Sequence, residues 1–442
     1  MLRRRGSLRT VACACALVTV SARAHGQAAT LDAATRREVI DTIMAQVERL
    51  YVDADTGRMI AGRVRERVRA GAYDSVADPS RLSQLLTTDL RSVNHDLHLS
   101  VSYSAGNPGG GGQGGGGALA FLGKSNHFAL GRVDVLPGNI GYMEINGFSV
   151  DGQARDIIVG ALEYLQTTDA MIIDLRRNRG GDGELVNFLI SHFTGPDTLA
   201  TNTVKLRAGN RSFTRYTLAS VPGPRRPDVP LYVLTSRATA SAGEACAFVL
   251  QNLKRATIIG DRTAGAGHNV SIVPSGHGFQ TGISYSRVSD SRTGKEWEQI
   301  GVQPDVKVDV NTALDVGQSM ALKAMAAKAD DAQRPFLGLI LESVEARVHP
   351  HDVPAAVLAA YAGEYEGGRR VSVVDGRLVY EAPIGGMAEA LVALSDSVFV
   401  VASQARLMFQ RAEQGQATLR IRGPDGGTST YSRAAINNAK RS

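Results

Sequence analysis

The sequence predicts an α/β protein with a helical amino-terminal subdomain and a small carboxy-terminal all-β domain, on three observations. Apolar residues recur every three or four positions through 31–52, 56–70 and 79–93, the period of one helix face. From about 129 to 310, short apolar runs of strand length alternate with helical runs, as in a layered α/β core. From Tyr361 onward the chain becomes brief alternating strands broken by turn pairs such as Asp375-Gly376. The 442 residues are enough for two or three domains. The expected boundaries are 25–103 for the helical subdomain, 104–128 for a glycine-rich linker, 129–330 for the core, and 331–442 for a helix followed by the β domain.

Residues 1–24 are read as an export signal. Arg3, Arg4, Arg5 and Arg9 form a positive head, 11–20 is a short apolar run, and Ala22-Arg23-Ala24 fits a cleavage site. Arg4-Arg5 also fits a loose twin-arginine pattern. An exported chain, periplasmic or extracellular, is expected. Residues 95–103 alternate as a strand does, and the nearly pure glycine of 106–117 reads as a tether or cleft loop. In the core, strands are expected at 139–145, 170–175, 230–234, 256–260, 270–274, 279–285 and 306–310. Helices are expected at 152–166, 184–193, from Ser241 onward, and at 311–328 and 334–347.

Removing the signal changes the charge reading. Its five arginines leave 44 basic against 43 acidic residues, so nothing in the mature balance points to nucleic acid or a membrane surface. The signal run is too short to stay as a membrane span. Cys13 and Cys15 leave with it, and Cys246 remains within an apolar helix, where a buried core thiol is expected. No cluster of Cys, His and carboxylates has a metal-ligand spacing along the chain, and neither a metal nor an organic cofactor is implied.

Ser241 carries the chemistry. It stands between an apolar strand and a helix, where unpaired amides and the positive end of the helix dipole converge. That position suits an ordinary N-cap, and it equally suits a nucleophile whose product is an oxyanion. Oxyanion donors are available in the amide of Ala242 and in the turn Asn178-Arg179-Gly180-Gly181, which follows a buried strand ending at Asp174. A serine still needs a base, and none stands nearby in the chain.

Several pieces in order bring a family into view: Tyr51-Val52-Asp53, Asp96-Leu97-His98, Gly141-Tyr142-Met143-Glu144-Ile145, Asp174-Leu175-Arg176 through Gly180-Gly181, Ser241-Ala242-Gly243-Glu244, and Gly301-Val302-Gln303-Pro304-Asp305. Together they resemble the serine peptidases that include the carboxy-terminal-processing (tail-specific) proteases, the tricorn core and the interphotoreceptor retinoid-binding protein modules. The resemblance implies a core related to the Clp-peptidase (ClpP) and crotonase folds. In the tail-specific branch a lysine downstream of the serine is the base, and its place here is taken by Ala266 between Gly265 and Gly267. The tricorn and retinoid-module branch is the better match.

By that resemblance His98 is the base and Glu298 the orienting acid, with Gly180 or Gly181 and Ala242 as oxyanion donors. His95 and His268 are the fallback bases, and Glu296 the alternative acid. Glu244 is read as a carboxylate favourable to the helix dipole. Two departures stand out: Leu97 replaces the serine that precedes the tricorn histidine, and 104–136 is too short for a peptide-binding PDZ module. The reading is an exported serine peptidase acting on peptides or unfolded proteins, with homo-oligomerisation left open. Its activity is expected to fall as pH drops through about 6 to 7, the range of an ordinary histidine. Two alternatives remain: a carrier of apolar ligands on the same fold, and a scaffold acting through the β domain.

Overall fold

The computed structural model describes residues 30–104, 122–383, 387–401, 405–411, 417–423 and 426–434. The expected signal and most of the glycine-rich linker lie outside the described residues. Three helices open the chain, α1 (Ala33–Leu50), α2 (Ala54–Arg69) and α3 (Pro79–Arg91). Each begins with an aspartate N-cap, Asp32, Asp53 and Asp78, whose side chain accepts a first-turn amide. Their apolar faces form one cluster, including Val39, Ile43, Val47, Ile60, Val64, Leu82, Leu86 and Leu90.

Next come β1 (Ser100–Tyr103), β2 (Leu130–Leu136), β3 (Ile140–Ile145), α4 (Gln153–Tyr164), β4 (Ala170–Asp174) and α5 (Gly183–Ser191). Then follow β5 (Ala200–Leu206), β6 (Ser212–Tyr216), β7 (Leu231–Thr235), α6 (Ala242–Asn252), β8 (Thr257–Gly260), β9 (Asn269–Gly276), β10 (Phe279–Asp290) and β11 (Val306–Lys307). A six-stranded sheet in the order β11-β8-β7-β4-β3-β2 forms the core, parallel except where β2 meets β3. β4 and β7 are buried along their whole length, as central parallel strands covered on both faces must be. Met171, Ile173, Leu231 and Val233 face one cluster with α4, α5 and α6 residues, and Ile172, Tyr232 and Leu234 face another. The second cluster includes α7 (Ala313–Ala326) and α8 (Arg334–Val348). Cys246 is wholly buried in the first cluster, and burial pushes its thiol up to about 12.

A second sheet runs β1-β10-β5-β6, with β9 also pairing β10. The strands at β5 and β6 were not visible in the sequence pattern, because 196–228 shows neither helical nor sustained alternating periodicity. β1 lies antiparallel on β10, so the helical segment and the α/β segment share this sheet. Val101, Phe279 and Ile283 carry the helical cluster onto it. The strand expected at 95–103 starts only at Ser100; before it, Asp96 accepts the His98 amide at 2.9 Å and closes a turn.

The chain ends with α9 (Ala355–Tyr361) and two antiparallel sheets, residues 363–390 and 392–432. The expected Asp375-Gly376 hairpin is present, both residues having positive φ, between Arg369–Val374 and Arg377–Glu381. No described helix is long and apolar enough to cross a membrane.

Candidate active site

Ser241 sits at the mouth of α6, just beyond the carboxyl end of β7, the position where open α/β sheets present their ligands. Its backbone has φ 53° and ψ −118°, a conformation that costs a non-glycine residue on the order of 1–3 kcal/mol. Surrounding bonds hold it there. The Ser241 amide donates to Glu244 Oε2 at 2.8 Å, and the Ala240 amide donates to the Asn178 carbonyl at 2.9 Å.

Glu244 does more than the sequence suggests. It is fully buried and accepts four donors: the Ser241 and Ala266 amides on Oε2, and Thr263 Oγ1 and the Gly265 amide on Oε1. Burial raises its carboxyl above the ordinary value, and these donors oppose the rise. The carboxylate therefore pins the serine turn to the 263–266 loop, the segment where the tail-specific lysine would have stood.

The strand-to-helix turn after β4 closes over the serine. A Cβ at Gly180 (φ 109°) would lie 2.8 Å from Ser241 Cβ, so only glycine permits this approach. The Gly180 amide, however, donates to Asn178 Oδ1 at 2.9 Å, which removes it as an oxyanion donor. Among the described residues, the Gly181 and Ala242 amides have no acceptor. Asn178 itself is fully buried, and its Nδ2 donates to the Ile145 carbonyl at 3.0 Å. It packs so closely on Gly243 that a Cβ there would lie 2.6 Å from Asn178 Oδ1. Asn178 thus fastens the glycine turn to β3 and to the serine helix. Replacing it with alanine strands the Gly180 amide, and Asn178→Ala is expected to lose about 1–3 kcal/mol of stability, read as a lower urea midpoint at unchanged slope.

His98 arrives from the turn ahead of β1, and its Nε2 lies 3.2 Å from Ser241 Oγ. Three features hold that turn. Asp96 accepts the His98 amide, Arg91 donates to the Leu97 and Leu99 carbonyls at 2.6 Å each, and Gly282 on β10 gives it room. A Cβ at Gly282 would lie 2.8 Å from the His98 carbonyl oxygen. Burial pushes the His98 imidazole down to about 4, against the pull of the Asp96 carboxylate. Its Nδ1 is buried without a partner among the described residues.

Among the described residues, no hydrogen bond joins Glu298 to His98. Its Oε2 accepts the Gly267 and His268 amides at 2.6 and 3.0 Å and lies 3.7 Å from His268 Nδ1. The reason is local: 298 lies in a turn facing the 265–268 loop, with Gln299 donating its amide to the Gly265 carbonyl. His268, one fallback base, faces Asp96 instead, with Nδ1 3.2 Å from Oδ2. Asp96 also accepts the Tyr51 hydroxyl at 2.8 Å, and Asn94 donates to that hydroxyl at 2.6 Å. Burial alone would raise Asp96, but His268 and the His98 amide outweigh it and hold the carboxyl below the usual range. Burial would lower His268, and the Asp96 and Glu298 carboxylates raise it instead. His95 is exposed, and Glu296 lies 3.9 Å from Arg287.

Peptidase family S41 matches residues 139–308, and the N-terminal domain of peptidase S41 in eukaryotic IRBP matches 29–113. A carboxyl-terminal-processing protease of Synechocystis sp. is 30% identical over 179 residues, 40% of this chain and 40% of the relative. The chloroplastic C-terminal processing peptidase of Tetradesmus obliquus is 39% identical over 80 residues, 18% of this chain and 17% of the relative. The match to the Synechocystis protein thus spans well under half of that relative's length. Among solved structures, a lipoprotein from Streptococcus agalactiae aligns with TM-score 0.48 at 17% identity, over 66% of this chain and 97% of that one. The tricorn protease aligns with TM-score 0.39 at 12% identity, over 70% of this chain and 37% of that one. Residues 139–308 thus carry a peptidase family S41 domain, preceded at 29–113 by an N-terminal domain of the kind found in peptidase S41 of eukaryotic IRBP.

Proposed function

We propose that the chain is an exported serine-type endopeptidase in which Ser241 is the nucleophile and His98 its base. The observation that supports this most directly is the 3.2 Å approach of His98 Nε2 to Ser241 Oγ, between residues 143 positions apart in sequence. His98 takes the hydroxyl proton as Oγ attacks the peptide carbonyl, then gives it to the leaving amine. The tetrahedral oxyanion is held by the Gly181 and Ala242 amides, beside the positive end of α6. Water then hydrolyses the acyl-enzyme by the reverse proton path. In this scheme Asp96 orients the His98 turn and favours the imidazolium through its charge, the part first expected of Glu298.

The test is mass spectrometry of a mixed peptide library and an unfolded protein incubated with wild type, Ser241→Ala and His98→Ala. Cleavage by wild type that both substitutions remove is the expected result. No cleavage by wild type, with an apolar ligand co-purifying, would replace the peptidase by the carrier reading.

The pH profile is a second check. The base must be neutral, and a free-enzyme pKa of about 4 leaves it neutral throughout the physiological range. Measured in a chelating buffer, kcat/KM is expected to stay level from about pH 5 to 8 and fall only as pH drops through His98's lowered pKa. This moves the limb below the 6 to 7 expected of an ordinary histidine, because the fold buries the ring. A limb near 6.5 would show that the working base is a more exposed histidine.

A further inference from the structure

We propose that Asp96, His268 and Glu298 form a binding site for a divalent transition cation, with zinc the ion its donors suit best. One ligand atom from each residue lies within 4.8 Å of the other two, although the three residues come from segments far apart in sequence. His268 Nδ1 is 3.2 Å from Asp96 Oδ2 and 3.7 Å from Glu298 Oε2. A tetrahedral zinc ion with bonds of about 2.0–2.2 Å separates its ligands by roughly 3.3–3.6 Å, so the imidazole already stands near the required distance from both carboxylates, and an ion would draw the carboxylates together from within 4.8 Å. One imidazole and two carboxylates also match the mixed nitrogen and oxygen donors that zinc accepts.

A second observation points to a missing partner. Glu298 is 9% exposed, and its Oε1 is buried without a hydrogen-bond partner among the described residues. A buried carboxylate oxygen left empty is costly, and a cation held by both Glu298 oxygens supplies what Oε1 lacks. The charge balance agrees: among the described residues, neither Asp96 nor Glu298 pairs with a lysine or arginine. Both carboxylates face a single imidazole.

The surroundings are those of a built site. Tyr51 donates to Asp96 Oδ2 and is held by Asn94, while the Gly267 and His268 amides fix Glu298 Oε2. Such outer contacts orient ligands and fix their rotamers. A cavity of about 290 Å³, lined in part by Tyr51, Asn94, His268, Arg287 and Glu298, gives an entry path and room for a water as fourth ligand. The site shares no atom with the proposed nucleophile, base or oxyanion donors and meets the catalytic centre at Asp96, whose other oxygen accepts the His98 amide.

The test is calorimetric titration of Zn²⁺ into chelator-treated protein, in the Ser241→Ala background so that proteolysis plays no part. Co²⁺ absorption serves as a second readout of ligand geometry. One saturable equivalent is expected, with tetrahedral-type Co²⁺ bands. Affinity should fall at least tenfold in Glu298→Gln and in His268→Ala. It should be unchanged in His277→Ala, which alters the surface pair of His277 with Glu38. Absence of saturable binding, or binding that survives both ligand substitutions, overturns the proposal. Circular dichroism identifies any variant that has not folded, and Glu298→Gln, nearly isosteric, keeps the test decisive if His268→Ala fails.

Discussion

Ser241→Ala and His98→Ala are each expected to lower kcat/KM for peptide cleavage by about 10⁴-fold or more, and the double variant to be no worse than either single one. The non-additivity is the informative part. A serine that is only an N-cap and a histidine that is only structural would act on stability and leave cleavage by the folded protein largely intact. A nucleophile and its base act as one unit, so losing the second partner costs little once the first is gone. Residual cleavage above background in all three would come from the Gly181 and Ala242 amides. A folded single variant that keeps near wild-type kcat/KM would remove its residue from the dyad.

Glu244→Ala carries the largest expected stability loss, about 3–5 kcal/mol. It deletes a buried carboxylate and leaves four donors without an acceptor, one of them the Ser241 amide itself. Glu244→Gln should not rescue it. Each carboxylate oxygen accepts two donors, and an amide nitrogen in either place would set donor against donor. Urea denaturation measures the loss, and the peptidase assay should fall with it, because the strained Ser241 backbone is held from this side. A Gln variant of wild-type stability would show that the four bonds contribute little.

Much of the fold was legible because buried parallel strands announce themselves. Residues 170–175 and 230–234 are apolar runs, and the structure places β4 and β7 there at the sheet centre. β5 and β6 were not legible, since half-exposed strands of mixed composition leave no clean period. At the site, Ser241 stood out by its place ahead of a helix, and His98 through family resemblance. Asn178 was legible only as a member of the glycine turn, and Glu244 only as a carboxylate favourable to the helix dipole. Their roles depend on which backbone amides the tertiary fold leaves unpaired, and no local pattern records that. Glu298 shows the opposite limit: family resemblance assigned it to the histidine, but its turn directs one carboxylate oxygen to the 267–268 amides.

The seam where Ser100 pairs with Gly282 has a consequence for control. Ser241 and His98 arrive from opposite sides of it, so the proposed nucleophile and base meet only while the two sides are docked. Peeling the first hundred residues away would leave the serine, its glycine turn and its helix intact, yet carry off the group that activates it. Under the proposed mechanism, a half-folded chain would therefore carry an unactivated serine and spare both itself and its neighbours.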